Sequence, residues 1–306
     1  FQDFTTGSWA LFKNPDKKIL AINIEPYDAL KHGAISVVGD ARTVLEELEP
    51  MLGDHAAPAP DASLRDKWLD AVNAVTADPG NNVLPSDAHV IGAVQRSVDE
   101  NAIVLCASGG LPGELHKLWK AGGPGSYHLE YGFSTMGYEI AGGLGVKLAR
   151  PKDDVVVMVG DGSYLMLNSE IVSSVMLGAK ITVVVLDNSG YGCINRLQMA
   201  TGGANFNNLM KDTRHVTLPG IDFAAHAAAL GAKARKVGSI SELETALRES
   251  EDEAVTSIIV IDTDPLITTE AGGFWWDVAV PEVSERPQVN AARAAYVKAL
   301  KAQRVG

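Results

Sequence analysis

The chain has 306 residues, enough for one large or two ordinary domains with buried cores. Its formal net charge is −12, and no basic cluster is dense enough to hold a phosphate backbone, which argues against nucleic acid and anionic membrane as partners. No apolar run reaches the length of a membrane span and no signal-peptide pattern opens the sequence; the two cysteines, Cys106 and Cys193, make no disulfide framework and point to a reducing, cytoplasmic setting.

Ile19 to Ile24 is a short apolar run closed by Glu25 and Pro26, the pattern of a buried parallel strand ending in a loop. Ile35 to Val38 is a second such run, closed by Gly39 and Asp40. A helix is expected from Ala41 to Glu49, with Val44, Leu45 and Leu48 on one face and Pro50 as its stop. Two strands and one or two helices do not make a stable sheet by themselves, so residues 1–52 read as the tail of a domain. The stiff stretch His55 to Pro60 then opens a linker over 53–84, which carries a helix near Ser63 to Val75 and a break at Asp78 to Asn82.

From Pro85 onward helix and strand patterns alternate. Helices are expected at Asp87–Val98, Gly137–Leu148, Ser169–Met176, Phe223–Leu230 and Ser241–Glu249. Strands are expected at Ile103–Cys106, Val155–Val159, Ile181–Leu186, Ala232–Val237 and Ser257–Ile261, and a glycine-rich loop over Ser108–Gly113 precedes a further helix. Apolar strands separated by amphipathic helices imply an α/β fold, a parallel sheet covered by helices on both faces. Ligands on such sheets bind beyond the strand C-termini. Three of these strands end in polar or glycine-rich loops: Ala107-Ser108-Gly109-Gly110, Gly160-Asp161-Gly162-Ser163 and Asp187-Asn188-Ser189-Gly190.

The second and third loops carry the strongest chemical signal. Asp161 offers a hard anionic oxygen and Asn188 a neutral one, from strand ends one βαβ step apart, while the flanking glycines let backbone amides approach a phosphate. Either loop alone reads as a common turn. The pair, at this spacing and both at strand ends, is much more specific to a metal held together with phosphate.

Gly160-Asp161-Gly162-Ser163 followed by Asp187-Asn188-Ser189-Gly190-Tyr191-Gly192 resembles the motif of thiamine diphosphate enzymes, with Asp187 where the wider family has a first Asn. The resemblance implies thiamine diphosphate and Mg²⁺ as cofactors. It implies Asp161, Asn188 and the Gly190 carbonyl as metal ligands, and Gly110, Ser134, Gly160, Gly162, Ser163, Tyr191 and Gly192 around the cofactor. Ser134-Thr135-Met136-Gly137 resembles the stretch in which an apolar residue, here Met136, wedges the cofactor into its bent form. The loop at Ser108–Gly113 would cradle the diphosphate by backbone amides, without the Gln-His pair common in acetolactate synthase relatives.

The segments Tyr127–Glu139, Tyr191–Asn195 and Phe274–Val278 resemble one branch of that family, the trihydroxycyclohexane-dione hydrolases of myo-inositol catabolism. Family order then implies that residues 1–52 are the C-terminal part of a Rossmann-like middle domain and that 85–306 form the diphosphate-binding domain. The implied reaction is hydrolytic C–C cleavage of 3D-(3,5/4)-trihydroxycyclohexane-1,2-dione, a small cyclic dione, to 5-deoxy-D-glucuronate. The rivals are an acetolactate synthase- or glyoxylate carboligase-like carboligase, and a cofactor-binding fragment inactive on its own.

In the family the glutamate that activates N1′ of the aminopyrimidine belongs to an N-terminal pyrimidine-binding portion, normally of a neighbouring subunit in a homodimer or homotetramer. Glu130 and Glu139 lie in the wrong domain for that role, so no catalytic residue is assigned. Cys193 stands where relatives place an apolar residue near the thiazolium, as a reaction-centre contact or as a small buried filler. His128 reads as a structural or interface histidine. Trp275 and Trp276 suit either a lid over the substrate or packing against a subunit.

Overall fold

The computed structural model describes residues 6–80, 82–269, 277–301 and 303. The chain divides into two compact units. The first comprises residues 1–62, 200–203 and 270–306. In it strand β1 (Leu20–Asn23) pairs in parallel with β2 (Ile35–Val38), Leu20 opposite Ile35. Helix α1 (Pro26–Leu30) links the two strands, and α2 (Ala41–Leu48) follows β2.

Glu25 and Asp40 cap these helices by accepting hydrogen bonds from the amides of Tyr27 and Thr43. Pro50 falls in a short 3₁₀ turn, Glu49–Leu52, that extends α2 by one turn beyond its expected stop. The burial expected for the Ile19–Ile24 run is not met: neither strand carries a fully buried residue, because a sheet only two strands wide offers too little neighbouring surface to cover them.

The second unit comprises residues 63–199 and 204–269. Helix α3 (Ala62–Val75) precedes α4 (Asp87–Ser97), β3 (Ile103–Cys106), α5 (Leu111–Leu118) and β4 (Tyr127–Leu129). Next come α6 (Tyr138–Ala149), β5 (Val155–Gly160), α7 (Asp161–Met166), α8 (Glu170–Met176), β6 (Thr182–Asp187) and α9 (Gly192–Ala200). Helix α10 (Phe223–Ala229), β7 (Lys233–Val237), α11 (Ile240–Glu251) and β8 (Ser257–Asp262) complete the unit. A last helix, α12 (Pro287–Leu300), belongs to the first unit.

Six strands form one sheet in the order β4-β3-β5-β6-β8-β7, every pair parallel. Alternate residues of each strand serve opposite layers. Val104, Cys106, Val156, Met158, Val184, Leu186, Ile259 and Ile261 pack with Ile91 and Val94 of α4, Leu115 of α5 and Leu243 and Leu247 of α11. Leu105, Val157, Val159, Val183, Val185, Ile258 and Val260 pack with Ile140 of α6, Tyr164 of α7, Ile171 of α8 and Phe223 of α10. The sheet is therefore buried on both faces, which is why its strands read as continuous apolar runs.

The expected strands and helices of this unit fall within a residue or two of their places. The glycine-rich loop is shorter than expected: α5 begins at Leu111, so Leu111–Gly113 are its first turn and only Ala107–Gly110 remain as loop. Strand β4 and helices α1, α7, α9 and α12 were not anticipated.

Candidate cofactor site

The sheet order sets the C-termini of β3, β5 and β6 side by side. Gly160 pairs with Leu186, so the chain leaves β5 at Asp161 beside the point where β6 ends at Asp187. Asp161 is the first residue of α7 and 5% exposed. Its Oδ2 accepts a hydrogen bond from the Gly190 amide at 2.8 Å. Its Oδ1 is buried and accepts none, and the same holds for Oδ1 of Asn188. Burial, followed by the charge of Asp187, pushes the Asp161 carboxyl up to about 7, against the lowering pull of the Gly190, Gly162 and Asn188 amides.

Two buried oxygens without partners, one anionic and one neutral, at neighbouring strand ends are the donor chemistry that Mg²⁺ takes when phosphate completes its shell. No cluster of three His, Cys, Asp or Glu side chains suited to a metal occurs among the described residues, so a cation here would rely on this mixed set.

The loop after β6 is held from outside the sheet. Tyr191 donates its amide to Asn208 O at 2.7 Å, and Met210 donates to Ser189 O at 2.8 Å. Gly190, at φ +145°, forms an isolated bridge with Leu209, and a Cβ on it would run into the carbonyl of Asn208. Only glycine fits that conformation and that approach. Across the site, a Cβ on Gly162 would lie 2.7 Å from the Tyr191 ring and 3.6 Å from the Met136 methyl. Met136, Gly162 and Tyr191 thus meet over the start of α7.

On the β3 side, Ser108 donates its amide to Oε1 of Glu139 at 3.2 Å. Ser134, held at φ +54°, donates its hydroxyl to Ser108 Oγ at 3.3 Å. The Ser163 hydroxyl is engaged by Glu139 at 2.8 and 2.9 Å, which leaves the Ser163 backbone as the part able to serve an anion. Gly160 ends β5 and Gly192 opens α9, where a Cβ would sit 3.2 Å from Asn188 Nδ2.

Arg196 of α9 was not anticipated. Its guanidinium donates to Pro265 O at 2.5 Å and packs on Gly110, where a side chain would collide with it. Asp87, at the start of α4, is 6% exposed; burial pushes it up to about 6, opposed by Arg196 and reinforced by Glu114. A lone arginine in a helix and a lone aspartate at a helix start carry no pattern in sequence; only the meeting of α4, α9 and the β3 loop reveals them.

The remaining candidates separate. Cys193 is half-buried with its thiol pushed up by burial, and the Cβ position of Gly110 lies 3.5 Å from it. Glu130 accepts hydrogen bonds from the amides of Thr135 at 2.7 Å and Phe133 at 3.1 Å, which hold its carboxyl below the usual range. His128 bonds the Tyr138 hydroxyl through Nε2 at 2.8 Å and stacks on that ring. Trp275 and Trp276 lie outside the described residues.

Residues 107–261 match the family described as thiamine pyrophosphate enzyme, C-terminal TPP binding domain, a span covering half of the chain and all three loops of the site. The chain belongs to the thiamine pyrophosphate enzyme family. Its α/β fold and its cofactor class follow from that membership.

Within this thiamine pyrophosphate enzyme family, the chain is 39% identical over 324 aligned positions to a 3D-(3,5/4)-trihydroxycyclohexane-1,2-dione hydrolase of Geobacillus thermodenitrificans, covering 95% of the chain and 50% of that protein. It is 37% identical to proteins of the same name from Bacillus thuringiensis and Bacillus anthracis, covering 99% of the chain and 52% of each. The chain spans about half the length of the curated relatives it matches. No helix among the described residues is long and apolar enough to cross a membrane.

Proposed function

We propose that this chain is the cofactor-anchoring half of a C–C bond hydrolase that opens a cyclic 1,2-dione, 3D-(3,5/4)-trihydroxycyclohexane-1,2-dione, to 5-deoxy-D-glucuronate. The observation that carries the reading is the pair of buried, partnerless oxygens, Asp161 Oδ1 and Asn188 Oδ1, inside a thiamine pyrophosphate-binding domain. The substrate class comes from the shared name of relatives that align along nearly the whole chain.

In this reading Asp161, Asn188 and the Gly190 carbonyl hold Mg²⁺, and the Mg²⁺ holds the diphosphate. The backbone amides of Gly110, Gly162 and Ser163 would hold the diphosphate. Met136 would support the bend of the cofactor, with Ser134, Gly160, Tyr191 and Gly192 contributing to its site. When bound, thiamine diphosphate supplies a nucleophilic carbon at C2 of the thiazolium and an electron sink for the broken C–C bond. Residues 1–52 are read as part of a middle domain and 85–306 as the diphosphate-binding domain.

The carboxylate that activates N1′ is proposed to come from a pyrimidine-binding portion outside this chain. The relatives are about twice as long. Glu130 and Glu139 are both occupied by backbone amides of their own domain.

The test is an assay of the chain with and without the N-terminal half of a relative, following loss of the dione and appearance of the carboxylate. Water-dependent ring opening with no second carbonyl compound, and only when both halves are present, is expected. Faster formation of a condensed product from pyruvate or glyoxylate would establish the carboligase reading instead.

A further inference from the structure

Glu139 is 1% exposed and makes no ion pair among the described residues; burial pushes its carboxyl above the usual range, and only hydrogen bonds oppose that push. The donors come from three separate segments. Ser108 donates its amide from the loop after β3 at 3.2 Å. Gly137 donates from the start of α6 at 3.0 Å. Ser163 donates its hydroxyl from α7 at 2.8 Å. The Gly137 amide is shared with Ser163 Oγ, 2.8 Å away, which closes the network.

A buried carboxylate with no cation is costly, and charge-assisted hydrogen bonds of this kind are what make it tolerable. Apolar packing could have joined these loops more cheaply. What the carboxylate adds is fixed geometry, because each donor must point at one acceptor group. The three segments it joins are those flanking the cofactor site. Gly137 follows Met136 directly, and Ser163 stands two residues after Asp161. The Met136 methyl already lies 3.6 Å from the Cβ position of Gly162.

The geometry points to Glu139 as a positioning residue: by clamping Ser108, Gly137 and Ser163 together, it sets the distance between Met136 and the Asp161–Gly162 diphosphate anchor. This inference rests on the cofactor reading above. Inorganic pyrophosphate with Mg²⁺ needs only the anchor, whereas thiamine diphosphate also needs Met136 at the right distance. Glu139 therefore governs discrimination between the two ligands rather than anion binding as such. In Glu139→Gln the shape is kept, but one oxygen becomes an NH₂ that meets donors.

The experiment is calorimetric titration of the chain with Mg²⁺-thiamine diphosphate and, separately, with Mg²⁺-pyrophosphate. The wild-type chain is compared with E139Q, S163A and the double variant. E139Q is expected to lose about tenfold in thiamine diphosphate affinity, the scale of one hydrogen bond to a charged group, with pyrophosphate affinity nearly unchanged. S163A should lose less in the same direction, and the double variant no more than E139Q, because both substitutions act through one network.

Equal loss for both ligands, or no loss for either, overturns the inference while leaving the cofactor reading intact. Failure of the wild-type chain to bind thiamine diphosphate even beside the N-terminal half of a relative refutes the cofactor reading itself. Should E139Q not fold, S163A decides by the same ratio: a selective loss supports the clamp and a uniform one overturns it.

Discussion

Gly190 donates its backbone N–H to Asp161 Oδ2 at 2.8 Å, across 29 residues of chain. That bond engages Oδ2 of the carboxylate that opens α7, while its buried Oδ1 has no hydrogen-bond partner. It depends on a backbone conformation, φ +145°, that only glycine adopts readily. Gly190→Ala should therefore destabilise the chain by about 1–3 kcal/mol and weaken Mg²⁺-dependent cofactor binding together. Urea unfolding beside calorimetry checks this; a variant with unchanged midpoint and affinity would show that the conformation carries no strain for alanine.

Asp87 gives a pH prediction of definite sign. Its carboxyl is raised to about 6 in the folded chain, chiefly by burial, above the ordinary value of 3.8. The folded state therefore binds the proton more tightly than the unfolded state. Stability from this group is fully present below about pH 4 and falls as pH rises toward 6, beyond which the penalty is constant. Asp87→Asn should match the wild type near pH 4 and exceed it by about 2–3 kcal/mol at pH 7. A stability difference that stays flat between pH 4 and pH 7 would contradict the assignment.

Arg196 ties α9 to the segment after β8 through Pro265 O and covers Gly110. Arg196→Ala should speed amide hydrogen exchange in residues 266–269 and in the Ser108–Gly110 loop, while the core strands keep their protection. The reciprocal change, Gly110→Ala, places a methyl where the guanidinium sits and should release the same segments. Exchange confined to neither region would show that the arginine is not a latch.

Tyr164 lies wholly inside the sheet–helix layer, its hydroxyl bonded to Nδ1 of His226 at 2.9 Å and its ring edge-on to Phe223. Tyr164→Phe keeps the ring contact and leaves the histidine to find water. The expected loss is about 1 kcal/mol by denaturant unfolding, with cofactor affinity unchanged. A loss of affinity would mean that α7 shifts with its hydroxyl.

The sheet was legible because β3, β5, β6 and β8 are buried on both faces and so appear as unbroken apolar runs. The nearness of Asp161 and Asn188 was legible because each directly follows one of two neighbouring strands, and a short motif marks each strand end. Strand β4 was missed: it is three residues of an edge strand, half-buried, too short for any period. Helix α9 was missed because Ile194, Leu197 and Met199 are exposed and no apolar stripe faces the core. Glu139 was weighed only for the N1′-activating role and set aside as lying in the wrong domain; its clamp was not legible because its donors stand up to 31 residues away and are mostly backbone amides, which every sequence possesses. Arg196 on Gly110 is likewise a meeting in space between segments distant in sequence.

The most direct test of the site is titration of thiamine diphosphate into the chain in Mg²⁺ and in chelator, for the wild type and for the Asp161→Ala/Asn188→Ala double variant. Loss of a metal ligand should cost more than the 10–100-fold typical of outer-shell changes, so binding in Mg²⁺ should exceed that of the double variant, and that of the wild type in chelator, by at least about a hundredfold. Thiamine without its phosphates should bind far more weakly under every condition. Thiamine diphosphate affinity that is equal with and without Mg²⁺, and undiminished in the double variant, would contradict the assignment of Asp161 and Asn188 as the diphosphate's metal anchor.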